Sequence, residues 1–193
     1  MRMKCGFIYL VVSLLFMSCA AIGTKFSLYD KEAPQKIRRV VLFSKTISNW
    51  DQLTYSYGGD LMMQTLLSKL IESGYFNIIP PDTVTQYMHL IDKLDTTYSG
   101  LLKVADTLSA DAIIIAHYDI KFNRSSRFLS DERNAEVSLL MVDAKSGALI
   151  LETKHDTFKG NSYFTPPSLE KSTVDACEGA LKPIFEYWKL NKK

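Results

Sequence analysis

The sequence has little cysteine, little histidine and only a slight surplus of positive charge, and each shortage removes a class of function. Twenty-three basic residues face 21 acidic ones, so there is no electrostatic footprint for a phosphate backbone and nucleic acid is excluded as a partner. The three histidines, His89, His117 and His155, stand far apart. No His-x-x-x-His and no His-Glu-x-x-His occurs, so no metal site is expected. Neither Gly-x-Gly-x-x-Gly nor Gly-x-x-x-x-Gly-Lys is present, which leaves Gly58-Gly59 ahead of a helix as the start of that helix rather than a phosphate cradle, and no cofactor is expected. His117 and Asp119 share one face of a strand at i, i+2, a pair that can orient an imidazole for base catalysis. No Gly-x-Ser-x-Gly elbow supplies a nucleophile. An envelope hydrolase using His117 is therefore the lesser alternative, and the chain is read as a non-enzyme.

Cysteine is scarce but informatively placed. Arg2 and Lys4 precede a run from Cys5 to Met17 that carries no charge, long enough for a secretion signal and shorter than the roughly 20 residues of a spanning helix. Leu15-Phe16-Met17-Ser18-Cys19-Ala20 resembles the bacterial lipobox, in which the cysteine is diacylated, the peptide is cut before it and the new N-terminus is acylated. Phe16 and Met17 are bulkier than the residues usual there. The expected organisation is a lipoprotein signal peptide over 1–18, a lipidated tether over 19–36 and one α/β domain over 37–193. Acyl chains contribute roughly 0.8 kcal/mol per buried methylene, so several chains at Cys19 anchor stably where one would not. Removal of the signal leaves 21 residues of each sign. With Cys5 removed and Cys19 lipidated, Cys177 has no intramolecular partner, so no disulfide is expected.

The remaining chain patterns as one compact domain. Arg38 to Phe43 reads as a buried strand, and a loop with Trp50, Tyr55, Tyr57 and Gly58-Gly59 follows. Asp60 is expected to cap a helix carrying Met63, Leu66, Leu67, Leu70 and Ile71, which Gly74 stops. After a short strand at Tyr75 to Ile79, Asp82 is expected to cap a helix with Val84, Tyr87, Met88, Ile91 and Leu94. A third helix opens at Ser99 or Gly100. Ala112 to Ala116, with three isoleucines in a row, predicts a central strand buried on both faces, continued by Tyr118 to Phe122 toward an edge open to pairing with another subunit. Glu136 to Asp143 and Ala148 to Thr153 predict an antiparallel hairpin turning at Gly147. Ser168 starts a long helix with Leu169, Thr173, Cys177, Ala180, Leu181, Ile184 and Trp188 on one side, and Pro183 should kink it or end its regular part. On that stripe Cys177 is most simply a small core residue.

Three segments carry a family resemblance. Tyr57-Gly58-Gly59-Asp60 through Glu72-Ser73-Gly74-Tyr75-Phe76-Asn77-Ile78-Ile79 is similar to a "glycine, amphipathic helix, Ser-Gly, aromatic, strand" element. Ser109-Ala110-Asp111 with Ala112 to Ala116 is similar to an "Ala-Asp, buried strand" element, and Val142-Asp143-Ala144-Lys145-Ser146-Gly147 resembles a "Val-Asp-x-x-x-Gly" hairpin. Together they resemble the CsgG-like superfamily, which includes the secretion lipoprotein CsgG and the activator LpoB. The resemblance covers roughly residues 37 to 190 and implies a mixed four- to five-stranded sheet flanked by helices, akin to the TolB N-terminal domain. None of its motifs is catalytic, so it implies fold more than function. Its implied setting is a periplasm-facing lipoprotein, expected at the outer membrane through Cys19, that binds an envelope protein as an activator, assembly factor or secretion accessory, with homo-oligomerisation open.

A channel component is the alternative. Membrane strands need about 9 to 11 residues, and Asn123 to Ala135 reads as a charged loop too short for two of them, as does Lys159 to Ser168 with its two prolines. The expected contact elements are the aromatics Trp50, Tyr55 and Tyr57, since loop aromatics bury large area at low rotamer cost, and the Arg124 to Arg133 stretch with Arg124, Arg127 and Phe128.

Overall fold

The computed structural model describes residues 23–46, 52–87, 99–124, 131–157 and 168–191. In chain order they form β1 (Thr24–Leu28), α1 (Ala33–Lys36), β2 (Arg39–Thr46), α2 (Gln52–Ser73), β3 (Asn77–Ile78), α3 (Pro81–Gln86), α4 (Ser99–Thr107), β4 (Ala112–Arg124), β5 (Asp131–Asp143), β6 (Leu149–Asp156) and α5 (Leu169–Asn191). The strands build one mixed sheet in the order β1-β6-β5-β4-β2-β3. As the isoleucine run predicts, β4 lies inside the sheet, parallel to β2 from Val40↔Ala112 onward and antiparallel to β5. Its residues Ala112 to Ala116 are all buried.

Period-two alternation divides the core between the two faces of this strand. Ala112, Ile114, Ala116 and Tyr118 join Met62, Leu66 and Leu70 of α2 and Ala176, Cys177, Ala180, Leu181, Ile184 and Trp188 of α5. Ile113 and Ile115 join Val41, Phe43 and Val142 under Val84 of α3 and Val104, Ala105 and Leu108 from the α4 segment. Helices on both faces explain why β4 is apolar throughout this stretch. The β5–β6 hairpin forms as expected, with Gly147 at φ +70°, and Gly74 ends α2 at φ +64°. Ser168 caps α5 by accepting from the Lys171 N–H at 3.2 Å.

The structure corrects several boundaries. The sheet has six strands where four or five are expected, because the stretch read as tether contains both β1, paired with β6 from Thr24↔His155 to Leu28↔Leu151, and α1. Short polar-alternating strands of this kind give little apolar signal. The loop read over Tyr55 to Gly59 is helical: α2 begins at Gln52, and Asp60 lies within it as an exposed residue rather than as its cap. Gly58 is needed there for packing. A Cβ on it would meet the Tyr118 ring at 2.5 Å, so the close approach of helix to sheet outweighs the roughly 1 kcal/mol that glycine costs a helix. At α3, Pro81 occupies the first turn and Asp82 follows it, with Pro80 in the cap position. Met88, Ile91 and Leu94 lie outside the described residues. Pro183 does not end α5, which continues to Asn191.

A further correction concerns β4 and β5. Each runs 13 residues, and their pairing continues to Arg124↔Asp131, so most of the expected Asn123 to Ala135 loop is strand. Charged residues are tolerated there because main-chain pairing asks for no apolar side chain. The described pairing of β2 with β4 ends at Thr46↔Tyr118, and beyond it the described arm consists of Asp119 to Arg124 paired with Asp131 to Glu136. Along Tyr118 to Phe122 β5 pairs on one side, while on the other the described pairing with β2 stops at Tyr118, so among the described residues β4 is open there beyond it, as expected.

Substituting Gly58 by alanine should lower the unfolding free energy in urea by about 1 to 3 kcal/mol through overpacking, despite alanine's better helix propensity. An unchanged or raised stability would show that the ring does not need the space.

Candidate partner-binding surface

Topology gathers the described candidate contact residues at one pole. β2 and β4 are parallel, so Thr46 and Arg124 finish at the same end. The antiparallel partners place the start of β5, the end of β6 and the start of β1 there as well. Because Gly58 near the start of α2 and Thr173 near the start of α5 both meet Tyr118, the N-terminal turns of these helices belong to this pole. Tyr55 and Tyr57 lie in the first turns of α2 and Arg124 ends β4, so the structure brings these three to one end of the domain. Trp50, Arg127, Phe128 and Cys19 lie outside the described residues.

Two rings rising from the sheet hold this pole together. The Tyr118 ring lies under Gly58, and its hydroxyl is 2.6 Å from that of Thr173 in α5, both groups buried. One side chain thus fixes both long helices. The second ring is His155, whose imidazole lies so close to Gly179 of α5 that any Cβ there would overlap it. Its Nδ1 is 2.6 Å from the Thr24 hydroxyl, joining the first residue of β1 to β6. Burial pushes the His155 imidazole below its usual range, against the opposing pull of Asp156 and Asp175. Neither glycine's role was readable from sequence, because a glycine in a helix carries no mark of what it faces.

The aspartates of the recognisable motifs are structural. Asp111 accepts from the N–H groups of Arg38 and Arg39 at 2.9 and 2.8 Å and so sets the start of β2 against β4. Asp143 accepts from the N–H groups of Lys145 and Ser146 and from the Ser146 hydroxyl, closing the β5–β6 turn. Burial alone would raise its carboxyl, but these hydrogen bonds and Lys145 hold it below the ordinary value. Cys177 is fully buried and its thiol is pushed up to about 12, chiefly by burial with Glu178 adding to it, in keeping with a core role.

His117 and Asp119 do share a strand face, opposite Ser138 and Glu136 in β5, and Glu136 pairs with Lys154 of β6 at 2.6 Å. Among the described residues no group of three or more His, Cys, Asp or Glu is placed to hold a metal ion. A shallow groove of about 360 Å³ lies between α2 and α5, with Leu181 and Phe185 in its lining and the Lys69–Glu178 ion pair (2.8 Å) across it. Sequence reading missed it, since a groove belongs to two helices at once. Among the described residues no helix is long and apolar enough to cross a membrane.

Neither a family model nor a curated protein matches this chain. Solved structures do. The PelC dodecamer from Paraburkholderia phytofirmans matches with a TM-score of 0.50 at 13% identity, over 84% of this chain and 96% of that one. Lipoprotein GNA1162 from Neisseria meningitidis matches with a TM-score of 0.51 at 13% identity, over 76% and 99%. The LpoB C-terminal domain from Salmonella enterica scores 0.41 at 11% identity, over 77% and 93%. The fold is thus one also found in a lipoprotein, and the class expected from the sequence, a single α+β domain on a mixed sheet, holds. The link to CsgG stays a likeness of sequence segments.

Because the folded protein binds a proton at His155 less readily than the unfolded chain does, stability should be full above about pH 6.5 and fall as the pH drops through that value. Urea melts between pH 8 and 5 should show this slope, and His155→Gln should flatten it. An equal slope in both proteins would remove His155 as its source.

Proposed function

We propose that this chain is a lipid-anchored domain of the bacterial envelope that binds a protein partner close to the membrane and catalyses no reaction. Acylation at Cys19 would attach it, with the outer membrane as the bearing membrane and the periplasm as its compartment. The observation that carries this reading is where the chain joins the sheet. Only residues 20–23 separate Cys19 from the first residue of β1, at most roughly 18 Å of extended chain. The pole holding Thr24, Tyr55, Tyr57 and Arg124 would then face the membrane, and the described part of the β4–β5 arm would point the same way. A long tether would let the domain reach deep into the periplasm; this one holds it against the lipid surface. Tyrosine and arginine are the residue types that dominate protein interfaces, which suits them to contact at that pole.

A second reading has one observation in its favour. The chain shares its fold with PelC, whose solved form is a dodecamer, so a ring that builds no barrel of its own is an alternative way for this domain to serve a secretion apparatus.

Metabolic labelling with an alkyne palmitate analogue should mark the wild-type chain and leave Cys19→Ser unlabelled and released from membranes. A photo-crosslinking amino acid at Tyr55 or Tyr57 should capture one discrete envelope protein. Labelling that survives in Cys19→Ser, or crosslinking no stronger there than at exposed Glu72 on the far end of α2, would contradict the reading.

A further inference from the structure

The two edges of the sheet are treated differently. β3 pairs through two residues and runs into Pro80-Pro81, which offers no N–H to a further strand. β1 has no such block. The Tyr29 N–H donates to the Ile150 carbonyl at 2.8 Å, continuing the register in which Ser27 faces Glu152 and Lys25 faces Lys154. Antiparallel ladders exchange hydrogen bonds at every second pair. The residues that bond to β6 are therefore Lys25, Ser27 and Tyr29, and the N–H and C=O groups of Thr24, Phe26 and Leu28 point outward. Among the described residues no strand lies beyond them.

We propose that this edge is a self-association site, at which β1 of a second copy of this chain adds antiparallel about a two-fold axis at Phe26. That register uses every outward main-chain group: Thr24 pairs with Leu28 of the second copy, Phe26 with its counterpart and Leu28 with Thr24. It also meets the side-chain requirements. Lys25, the only charge in the strand, falls opposite Ser27, so no like charges oppose. Tyr29, 58% exposed at the end of the strand, falls opposite Gly23 of the second copy. An aromatic covering a cross-strand glycine stabilises a sheet. There is room for the added strand because α5 packs mainly over β5 and β6 and only lightly on β1. Such an isologous contact closes at two copies. It depends on neither the anchoring nor the partner proposed above.

The full chain in detergent should sediment as a pair. Ser27→Lys places an ammonium against Lys25 of the second copy at both ends of the contact, while inside each chain it faces Glu152. Self-association should weaken at least tenfold with the melting temperature kept or raised. Non-hydrogen-bonded pairs bring Cα atoms to about 4.5 Å, within disulfide reach, whereas diagonal neighbours lie at about 7 to 8 Å. Co-expressed Lys25→Cys and Ser27→Cys chains should therefore form a disulfide pair under mild oxidation that neither forms alone. Sedimentation as single chains, a pair indifferent to Ser27→Lys, or no mixed disulfide would each overturn the proposal.

Discussion

The pole that gathers the candidate contact residues is held by rings that stand up from the sheet into helices with no side chain at the point of contact. Tyr118 fills the space left by Gly58 and reaches Thr173; His155 fills the space left by Gly179 and reaches Thr24. A helix normally stands off a sheet by the depth of its own side chains. Removing one Cβ lets a ring fill the space against the helix and still present a polar atom to a second element, Thr173 of α5 for Tyr118 and Thr24 of β1 for His155. A buried hydrogen bond then ties α5 to Tyr118 of β4, a part-buried one ties β1 to His155 of β6, and α2 is held by packing of Gly58 on the Tyr118 ring. Because buried polar groups are costly unless paired, each ring has one seating that satisfies it, and the arrangement of the elements follows.

That constraint explains which parts of the fold were legible. β4 announced itself because burial on both faces leaves three isoleucines in sequence, and α5 because its stripe from Thr173 to Trp188 keeps helical period over 16 residues. The turns at Gly74 and Gly147 were readable because positive φ demands glycine. By contrast, Gly58-Gly59 suggested a loop because propensity describes an isolated helix and cannot include a tyrosine sixty residues away. β1 was hidden for a related reason: Thr-Lys-Phe-Ser-Leu alternates over only five residues, and its stability comes from pairing with β6 and the hydroxyl of Thr24 on His155. The β4–β5 arm was missed because main-chain pairing along a hairpin is indifferent to side-chain polarity.

The candidate site was legible in part. Residue type selected Tyr55, Tyr57 and Arg124, but only parallel pairing of β2 with β4 could show that they share an end of the domain with the start of β1. The motif aspartates turned out to be joints of the scaffold, with Asp111 fixing β2 to β4 and Asp143 closing a turn. Motifs that hold joints specify a fold and leave its surface free to vary, consistent with a fold shared at 13% identity with PelC and with a lipoprotein.

The most direct test of the ring-and-glycine account is a double-mutant cycle on His155 and Gly179, read as unfolding free energy in urea. Gly179→Ala should be destabilising in the wild-type background and cost nothing, within about 0.5 kcal/mol, once His155→Ala has vacated the space. An equal cost in both backgrounds would contradict the account, since the glycine would then be serving something other than the imidazole.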